Sequence, residues 1–331
     1  MCEQHENLSA WLQNMALEAS RTHDAMEEPP LVAYGTMSAT VSSTSQALSC
    51  GVRHLDCAEL YADTLSQVGR AIAESGLERQ ALWITSKLSG LPCGPYEEVK
   101  ARVQRQCQVL GITYVDLLLV HWPGESDVDF GASPDAAVSK CSGAWFLANI
   151  GDAWANMLRL RQDGLTRRIG VSNFYWGHLH ALEKLAPSEP PFANQIFLDA
   201  THQEPALLNA MRARAIMPMA YRALAFLPVV KMAGEMGDGT HAALEAQAAE
   251  CGTESVQQLV LAWLARKGIV AVISSGSAAH VEANLRAAAL ASRAPAVLGG
   301  EGADGNETVA MCGGLDEYAA CFRDVAPGIE G

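Results

Sequence analysis

Basic residues are scarce in this chain of 331 residues. It contains 23 lysines and arginines against 37 aspartates and glutamates, so its formal net charge at pH 7 is -14. Proteins that bind nucleic acid or an anionic membrane surface do so through patches of positive charge that neutralise phosphates. The charge balance therefore argues against both kinds of partner.

Long apolar runs and paired cysteines are missing as well. No stretch approaches the roughly 20 apolar residues that a membrane-spanning helix requires. The nine cysteines are scattered, odd in number and without a Cys-x-x-Cys pair. That pattern is typical of free, mostly buried thiols rather than of a disulfide framework or a zinc site. We therefore expect a cytoplasmic protein without a metal site.

The first thirty residues also lack the features of a targeting segment. They contain five glutamates, whereas transit peptides are poor in acidic residues and secretory signals need a basic start before an apolar stretch. Leu8, Trp11, Leu12 and Met15 have helical spacing. The sequence thus predicts a helical extension over residues 1–30, packed on the main domain or loosely tethered to it.

Hydrophobic residues make up 49% of the chain, enough for a large core. Between residues 31 and 294, short apolar strands alternate with segments of helical spacing until eight strands are complete. This alternation favours a parallel sheet, and here its closed form, an α/β domain built as a (β/α)8 TIM barrel. Glycines spread through residues 295–331 predict a Gly-rich, flexible tail. Two long connections are predicted at the carboxyl-terminal face, Gly124–Ser142 and Leu227–Gly239.

Polar side chains stand where several of the predicted strands end. Asp56 closes the second strand, and Tyr61 follows it five residues later. The third strand ends at Lys87, the fourth at His121 and the fifth at a Ser-Asn pair. In a barrel of parallel strands these ends meet at one face, the face where such barrels carry their chemistry.

The motifs around these positions resemble those of a known family, the aldo-keto reductases. The segment Gly51–Tyr61, GVRHLDCAELY, is followed by Gln67-Val68-Gly69 and then by ITSKL, DLLLVHWP and IGVSNF. From about Gly35 to about Asn284, their order and spacing resemble the aldose reductase and aldehyde reductase type. The resemblance implies an NADP-dependent oxidoreductase that reduces a small-molecule aldehyde or ketone to an alcohol, and we expect a monomer.

The reduction of a carbonyl by hydride leaves an alkoxide, which needs a proton. A tyrosine can supply it, but a phenol with a pKa of about 10 is a poor acid at neutral pH unless a nearby ammonium lowers that pKa. The resemblance implies that Tyr61 is this general acid and that Lys87 tunes it, with Asp56 as the counter-charge of the lysine. It also implies that His121 orients the carbonyl. The predicted substrate-binding residues are His121 and Trp122.

The resemblance further predicts where a nicotinamide cofactor binds. Ser172, Asn173 and Gln195 resemble the residues that hold the carboxamide. Tyr221 resembles the aromatic residue that stacks on the nicotinamide ring. The full set of predicted cofactor-binding residues is Thr36, Ser172, Asn173, Gln195, Tyr221, Ser275, His280 and Asn284.

The chain departs from the family at two places along this cofactor site. The run Arg222–Ala225 replaces Ser-Pro-Leu-Gly after Tyr221 and changes a loop over the pyrophosphate. Ser274 and His280 replace a lysine and an arginine, the two cations that meet the 2'-phosphate of NADPH, and neither supplies their fixed charge. Arg286, one helical turn beyond, or a protonated His280 would restore part of the lost attraction. We expect NADPH as the cofactor and NADH as a possible substitute. The preference for NADPH over NADH should be weaker than in other members of the family.

Two alternatives compete with this interpretation. Tyr96–Lys100 fits the Tyr-x-x-x-Lys string of short-chain dehydrogenases. The string is short, lies at a helix start, and is not accompanied by a Gly-rich dinucleotide loop after the first strand, so we reject it. The other alternative is a non-enzymatic barrel of the same family that binds the cofactor as a regulatory or structural subunit. The four predicted catalytic residues argue against this alternative. The altered residues at the phosphate-binding end of the cofactor site keep the alternative open.

Overall fold

A computed structural model describes residues 26–124, 143–235, 239–292 and 294 of the chain. Within them, eight parallel strands pair in chain order and the eighth pairs with the first, so the sheet closes into a barrel. This confirms the predicted (β/α)8 TIM barrel. The strands are β1 (Val32–Gly35), β2 (His54–Asp56), β3 (Trp83–Leu88), β4 (Val115–Val120), β5 (Thr166–Ser172), β6 (Ala193–Phe197), β7 (Met217–Tyr221) and β8 (Val270–Ile273).

Helices connect these strands. They are α1 (Val41–Ser49), α2 (Ala62–Ser75), α3 (Tyr96–Leu110), α4 (Gly143–Gln162), α5 (Trp176–Leu185), α6 (Pro205–Ala213), α7 (Leu227–Glu235), α8 (Thr240–Glu250), α9 (Val256–Arg266) and α10 (Ala278–Ala289). Helix α7 corrects the prediction that Leu227–Gly239 is an irregular connection. It forms because Leu227 and Val230, which are spaced by nearly one turn, are both buried.

Two apolar layers hold the barrel together. Inside it, Trp83, Leu117, Leu119 and Met219 belong to a small buried cluster drawn mainly from the strands. A much larger cluster joins the strands to the surrounding helices. Strands that are buried on both faces have near-continuous hydrophobic sequences, as in Val115–Val120, where every residue is buried.

Two glycines of the recognised motifs allow close approaches in this frame. A Cβ on Gly170 in β5 would lie 2.6 Å from the backbone oxygen of Ala193 and 2.8 Å from Leu119 Cδ2. A Cβ on Gly69 in α2 would lie 2.5 Å from the backbone oxygen of Val109. Neither position has room for a side chain. Packing of β5 inside the barrel and of α2 against the end of α3 therefore requires both glycines.

Parallel pairing brings the strand ends together at one mouth of the barrel. Gly35 pairs with Asp56, and Ser172 pairs with Gln195. Tyr221 is the last residue of β7. The carboxyl-terminal ends of β1, β2, β5, β6 and β7 thus surround the mouth where the candidate site residues lie.

Three predicted segments lie wholly or mostly outside the described residues. They are positions 1–25 of the helical extension, positions 125–142 of the first long connection, and the tail 295–331. The domain boundaries at residues 30 and 294 therefore stay predictions. Among the described residues, none of the helices combines the length and the apolar character needed to cross a membrane.

Candidate active site

A buried ion pair joins β2 and β3 at the mouth of the barrel. Lys87 Nζ donates to Asp56 Oδ1 at 2.5 Å and to the backbone oxygen of Cys57 at 3.0 Å. The side chains of Lys87 and Asp56 are both almost fully buried. Buried charges occur in proteins when they are paired and hydrogen-bonded, and these two residues satisfy that requirement for each other.

The surroundings of Lys87 keep its side chain charged. Burial is the largest single influence and lowers the pKa of the ammonium group, but the charge and hydrogen bond of Asp56, together with the attraction of Tyr61 and Cys57 when those groups are ionised, raise the pKa by more. The resulting pKa lies above the usual value for lysine, so the ammonium persists at neutral pH. Because the attraction between Lys87 and ionised Tyr61 is mutual, it also acts to lower the pKa of the phenol.

Tyr61 reaches the mouth on a short 3-10 turn, Glu59–Tyr61, that precedes α2. Its ring centroid lies 5.5 Å from Lys87 Nζ. The centroid is also 6.2 Å from that of the His121 ring, which it meets edge to face at 87°. His121 directly follows β4, and its backbone N–H donates to Leu88 O at 2.9 Å. These rings and the ion pair form one cluster, with Trp122 buried beside His121.

Asn173 lies at the centre of a hydrogen-bond network along the same mouth. Its Nδ2 donates to His121 O at 3.0 Å and to Ser172 Oγ at 3.2 Å. Its Oδ1 accepts a 2.9 Å hydrogen bond from the Tyr221 hydroxyl. The φ of Asn173 is 61°, in the left-handed region that asparagine adopts more readily than most residues. The end of β5 is therefore linked to the end of β7 and to the segment after β4.

Gln195 connects this network with the ion pair. Its Nε2 donates to Asp56 Oδ2 at 2.7 Å, and its backbone oxygen accepts a 2.8 Å hydrogen bond from Ser172 Oγ. From the sequence, Gln195 was predicted only as a cofactor-binding residue, and its contact with Asp56 was not predicted. The two residues are 139 positions apart, and only closure of the barrel brings them together.

A cavity of about 530 Å³ opens over these residues. This volume lies within the usual range for small-molecule sites, roughly 300–1,000 Å³. Lys87 lies fully buried next to it, bonded to Asp56. The predicted residues that line the cavity are Thr36, Asp56, Tyr61, His121, Trp122, Ser172, Asn173, Gln195 and Tyr221.

The remaining predicted cofactor residues lie along β8 and α10. Ser275 and Asn284 line a neighbouring crevice, and Ser274 lines both this crevice and the cavity. His280, in the first turn of α10, is exposed and lines neither of them. From the sequence, Arg222 was notable only as the first residue of the run that replaces Ser-Pro-Leu-Gly after Tyr221. In the structure it lines the cavity and, among the described lining residues, is the one lysine or arginine.

Tyr96 and Lys100, the short-chain dehydrogenase string, lie on α3 rather than at the cavity. The Tyr96 hydroxyl donates to Asp163 Oδ2 at 2.7 Å, and Lys100 Nζ donates to the same oxygen at 2.6 Å. Burial and the hydrogen bond to Asp163 raise the pKa of Tyr96, the opposite of what a proton-donating phenol requires. The contacts of this pair are structural.

Comparisons with known proteins agree with the geometry. The model of the aldo/keto reductase family matches residues 36–294. An aldo/keto reductase of Synechocystis sp. is 32% identical over 274 residues, which cover 79% of this chain and 81% of that protein. The glycerol 2-dehydrogenase (NADP(+)) of Hypocrea jecorina is 29% identical over 272 residues, which cover 77% of this chain and 83% of that protein. A solved aldo-keto reductase of Bombyx mori in complex with NADP has a TM-score of 0.61, 25% identity and 89% coverage of each chain.

The family match begins at Thr36, directly after β1, and extends beyond α10. It includes every strand from β2 to β8 and all four residues of the cluster around Lys87. This match covers most of the sequence and agrees with the observed barrel, so it establishes the family. The chain belongs to the aldo/keto reductase family.

Proposed function

We propose that this chain reduces a small-molecule aldehyde or ketone to an alcohol, with NADPH as hydride source and Tyr61 as proton donor. The observation that carries the proposal is the Tyr61 phenol beside the buried Lys87–Asp56 pair, with His121 facing it. Family membership supports the same class of oxidoreductase. Within that class, the activity corresponds to an alcohol dehydrogenase (NADP+) or aldose reductase type.

Tyr61 delivers the proton that the product alkoxide needs. Lys87 makes the phenol a stronger acid, because its ammonium stabilises the phenolate that remains after the transfer. Asp56 keeps Lys87 charged in a site that water does not reach. The three residues therefore form one functional unit, and Lys87 and Asp56 act through Tyr61.

His121 and Trp122 hold the substrate in this proposal. The rings of His121 and Tyr61 are 6.2 Å apart, so a carbonyl oxygen held between them would accept a hydrogen bond from each. Such a contact aligns the oxygen with its proton donor and stabilises the charge that develops on it. Trp122 lines the cavity beside His121 and offers an apolar wall for the rest of the substrate.

The residues from β5 to β7 suit a nicotinamide. The hydroxyl and amide groups of Ser172, Asn173 and Gln195 both donate and accept hydrogen bonds, as a carboxamide does. The partly buried ring of Tyr221 lines the same cavity and offers a stacking surface. The bound cofactor would supply the hydride. The relatives named for NADP(+) or solved with NADP support this assignment.

Among the described residues of β8 and α10, the adenosine end of the site offers little positive charge. Ser274 is neutral, and His280 is exposed. Arg286 is already engaged, since its Nη2 lies 2.9 Å and 3.1 Å from the two carboxylate oxygens of Glu254. We therefore propose that the chain binds NADPH but discriminates against NADH less strongly than relatives with both cations.

The cysteines support a reducing compartment. Cys50, Cys57, Cys93, Cys107 and Cys251 are free thiols, as is usual in the cytoplasm. Burial raises the pKa of Cys57 and of Cys107 to about 12, which makes both thiols unreactive. We propose a cytoplasmic enzyme on this basis.

Turnover tests the proposed function directly. With NADPH and a generic aromatic aldehyde, the wild-type chain should consume the nicotinamide absorbance and form one alcohol for each NADPH oxidised. Binding of NADPH, followed by quenching of tryptophan fluorescence, is the companion measurement. Binding without turnover across a panel of aldehydes, ketosteroids and sugars would favour the non-enzymatic alternative.

A further inference from the structure

A bidentate ion pair anchors the turn that carries Tyr61. The Glu59 carboxylate accepts hydrogen bonds from Arg102 Nε at 2.9 Å and from Arg102 Nη2 at 2.5 Å. It accepts another from the backbone N–H of Ser89 at 3.0 Å. Arg102 Nη2 also donates to Ser89 O at 2.9 Å. Three segments therefore meet at one carboxylate: the Glu59–Tyr61 turn, the chain after β3, and α3.

The contacts of the Glu59–Arg102 ion pair lie close in sequence to both Tyr61 and Lys87. Glu59 precedes Tyr61 by two residues, and Ser89 follows Lys87 by two. Arg102 belongs to α3, a helix of 15 residues, and bridges the two segments. The contact thus ties the segment that bears the phenol to the strand that bears the ammonium.

None of the three residues of the Glu59–Tyr61 turn is buried. Leu60, at its centre, is 50% exposed. By contrast, the side chains of Arg102 and Glu59 are 24% and 25% exposed, so the ion pair is largely screened from water. A forked arginine–carboxylate contact fixes orientation as well as distance, which makes this pair a specific side-chain anchor of the turn.

We propose that Glu59 and Arg102 are positioning residues that hold Tyr61 at its distance from Lys87. The inference rests on the proposed function, in which Tyr61 donates the proton. Attraction between an ammonium and a phenolate falls with distance and is strongest in a buried site. Among the described residues, Lys87 and Asp56 from the strands and His121 after β4 are titratable groups near Tyr61, so a loosened turn moves the phenol relative to all three.

The test compares Glu59→Gln, Arg102→Met and Arg102→Lys in the full chain. The first two break the ion pair, whereas Arg102→Lys keeps the charge and loses only the forked contact. The matched control is Glu183→Gln. It breaks another arginine–glutamate pair, in which Arg214 Nε and Nη2 donate to Glu183 Oε2 at 3.0 Å and 2.9 Å and neither residue lines the cavity.

We expect Glu59→Gln and Arg102→Met to lower kcat by on the order of tenfold or more, with the Kd for NADPH unchanged. Their double variant should be no worse than either single variant, because both remove the same contact. Arg102→Lys should recover part of the loss. A weaker attraction from Lys87 raises the pKa of Tyr61, and the acid acts in its protonated form, so the alkaline limb of the kcat profile should move to higher pH.

Glu183→Gln should change neither kcat nor its pH profile. The inference is wrong if the folded Glu59 and Arg102 variants behave like this control; should Glu59→Gln fail to fold, Arg102→Lys decides. Ultraviolet difference titration of each variant against its Tyr61→Phe counterpart reports the phenol without any turnover. An unchanged Tyr61 titration overturns the positioning role, whereas a wild-type chain that reduces no carbonyl overturns only the proposed function.

Discussion

Gln195 Nε2 lies 2.7 Å from Asp56 Oδ2, and the other oxygen of that carboxylate accepts the hydrogen bond from Lys87. Asp56 thus connects the side chain of Gln195, proposed to hold the nicotinamide carboxamide, with the Lys87 ammonium, proposed to tune Tyr61. In the proposed function, cofactor binding and proton donation would therefore share this carboxylate. Changes at Gln195 should therefore affect both, although Gln195 does not contact Tyr61 through any bond described above.

Gln195→Leu should weaken NADPH binding and lower kcat together. The substitution removes a cofactor contact and leaves Asp56 with one hydrogen bond fewer, a loss of about 1.5–3 kcal/mol for a bond to a charged group. The affinity for NADPH and kcat should each fall by roughly tenfold or more. Fluorescence quenching gives the Kd and steady-state turnover gives kcat. A change in Kd with an unaltered kcat would show that the bond to Asp56 has no part in acid tuning.

Tyr61→Phe should remove nearly all carbonyl reduction and leave NADPH binding close to that of the wild type. Only the hydroxyl is lost, so the ring still fills its place at the mouth of the cavity. Single-turnover reduction of an aromatic aldehyde, measured beside the Kd for NADPH, checks both statements. A variant that keeps the wild-type kcat would exclude Tyr61 as the acid.

Lys87→Met should abolish activity and also destabilise the fold. The Asp56 carboxylate would remain buried without its counter-charge, which costs about 3–5 kcal/mol in comparable cases. Adding Asp56→Asn removes that charge, so the double variant should regain much of the free energy of unfolding and none of the activity. Urea unfolding and turnover distinguish the two effects. Recovery of activity in the double variant would contradict the role given to Lys87.

The strand ends of this barrel were predictable, and the contacts between distant strands were not. Asp56, Lys87 and His121 each stand at or next to the end of a strand-like run, a pattern that local sequence displays and the barrel then gathers at one mouth. The bond between Gln195 and Asp56 depends on the register of a closed sheet. The pair of Glu59 and Arg102, 43 positions apart, likewise follows from tertiary packing, which local sequence patterns do not encode.

The stability of the fold should fall between pH 6.5 and pH 4 partly because of buried histidines. Burial lowers the pKa of His54 and of His178 from 6.5 to about 4. Over this interval the unfolded chain binds protons that the folded chain does not, so stability is complete above pH 6.5 and is lost as the pH falls. The loss approaches about 1.4 kcal/mol per pH unit for each such histidine.

His178→Gln isolates one of these contributions. The His178 ring accepts a hydrogen bond from the backbone N–H of Tyr175, and the glutamine amide oxygen retains an acceptor. We expect lower stability than wild type at pH 7 but a smaller further loss at pH 5, by urea unfolding at both values. Equal slopes in wild type and His178→Gln would rule out this contribution.

The preference for NADPH over NADH should be modest in the wild type and larger in a Ser274→Lys/His280→Arg double variant. Each restored cation gains a charge-assisted hydrogen bond to the 2'-phosphate, worth about 1.5–3 kcal/mol. Together they should raise the ratio of the two dissociation constants by more than about tenfold. Arg286→Ala is the control and should leave the ratio unchanged, because Arg286 is paired with Glu254.

Quenching of tryptophan fluorescence by each cofactor gives the two dissociation constants directly and does not depend on turnover. Comparison at two salt concentrations separates a charge contribution from a change in shape, because added salt screens exposed charges. A wild type that already favours NADPH by about a thousandfold, or a double variant that gains nothing, would mean that another cation meets the phosphate. Arg222, exposed at the cavity directly after Tyr221, is then the residue to replace, and loss of the preference in Arg222→Ala would identify it.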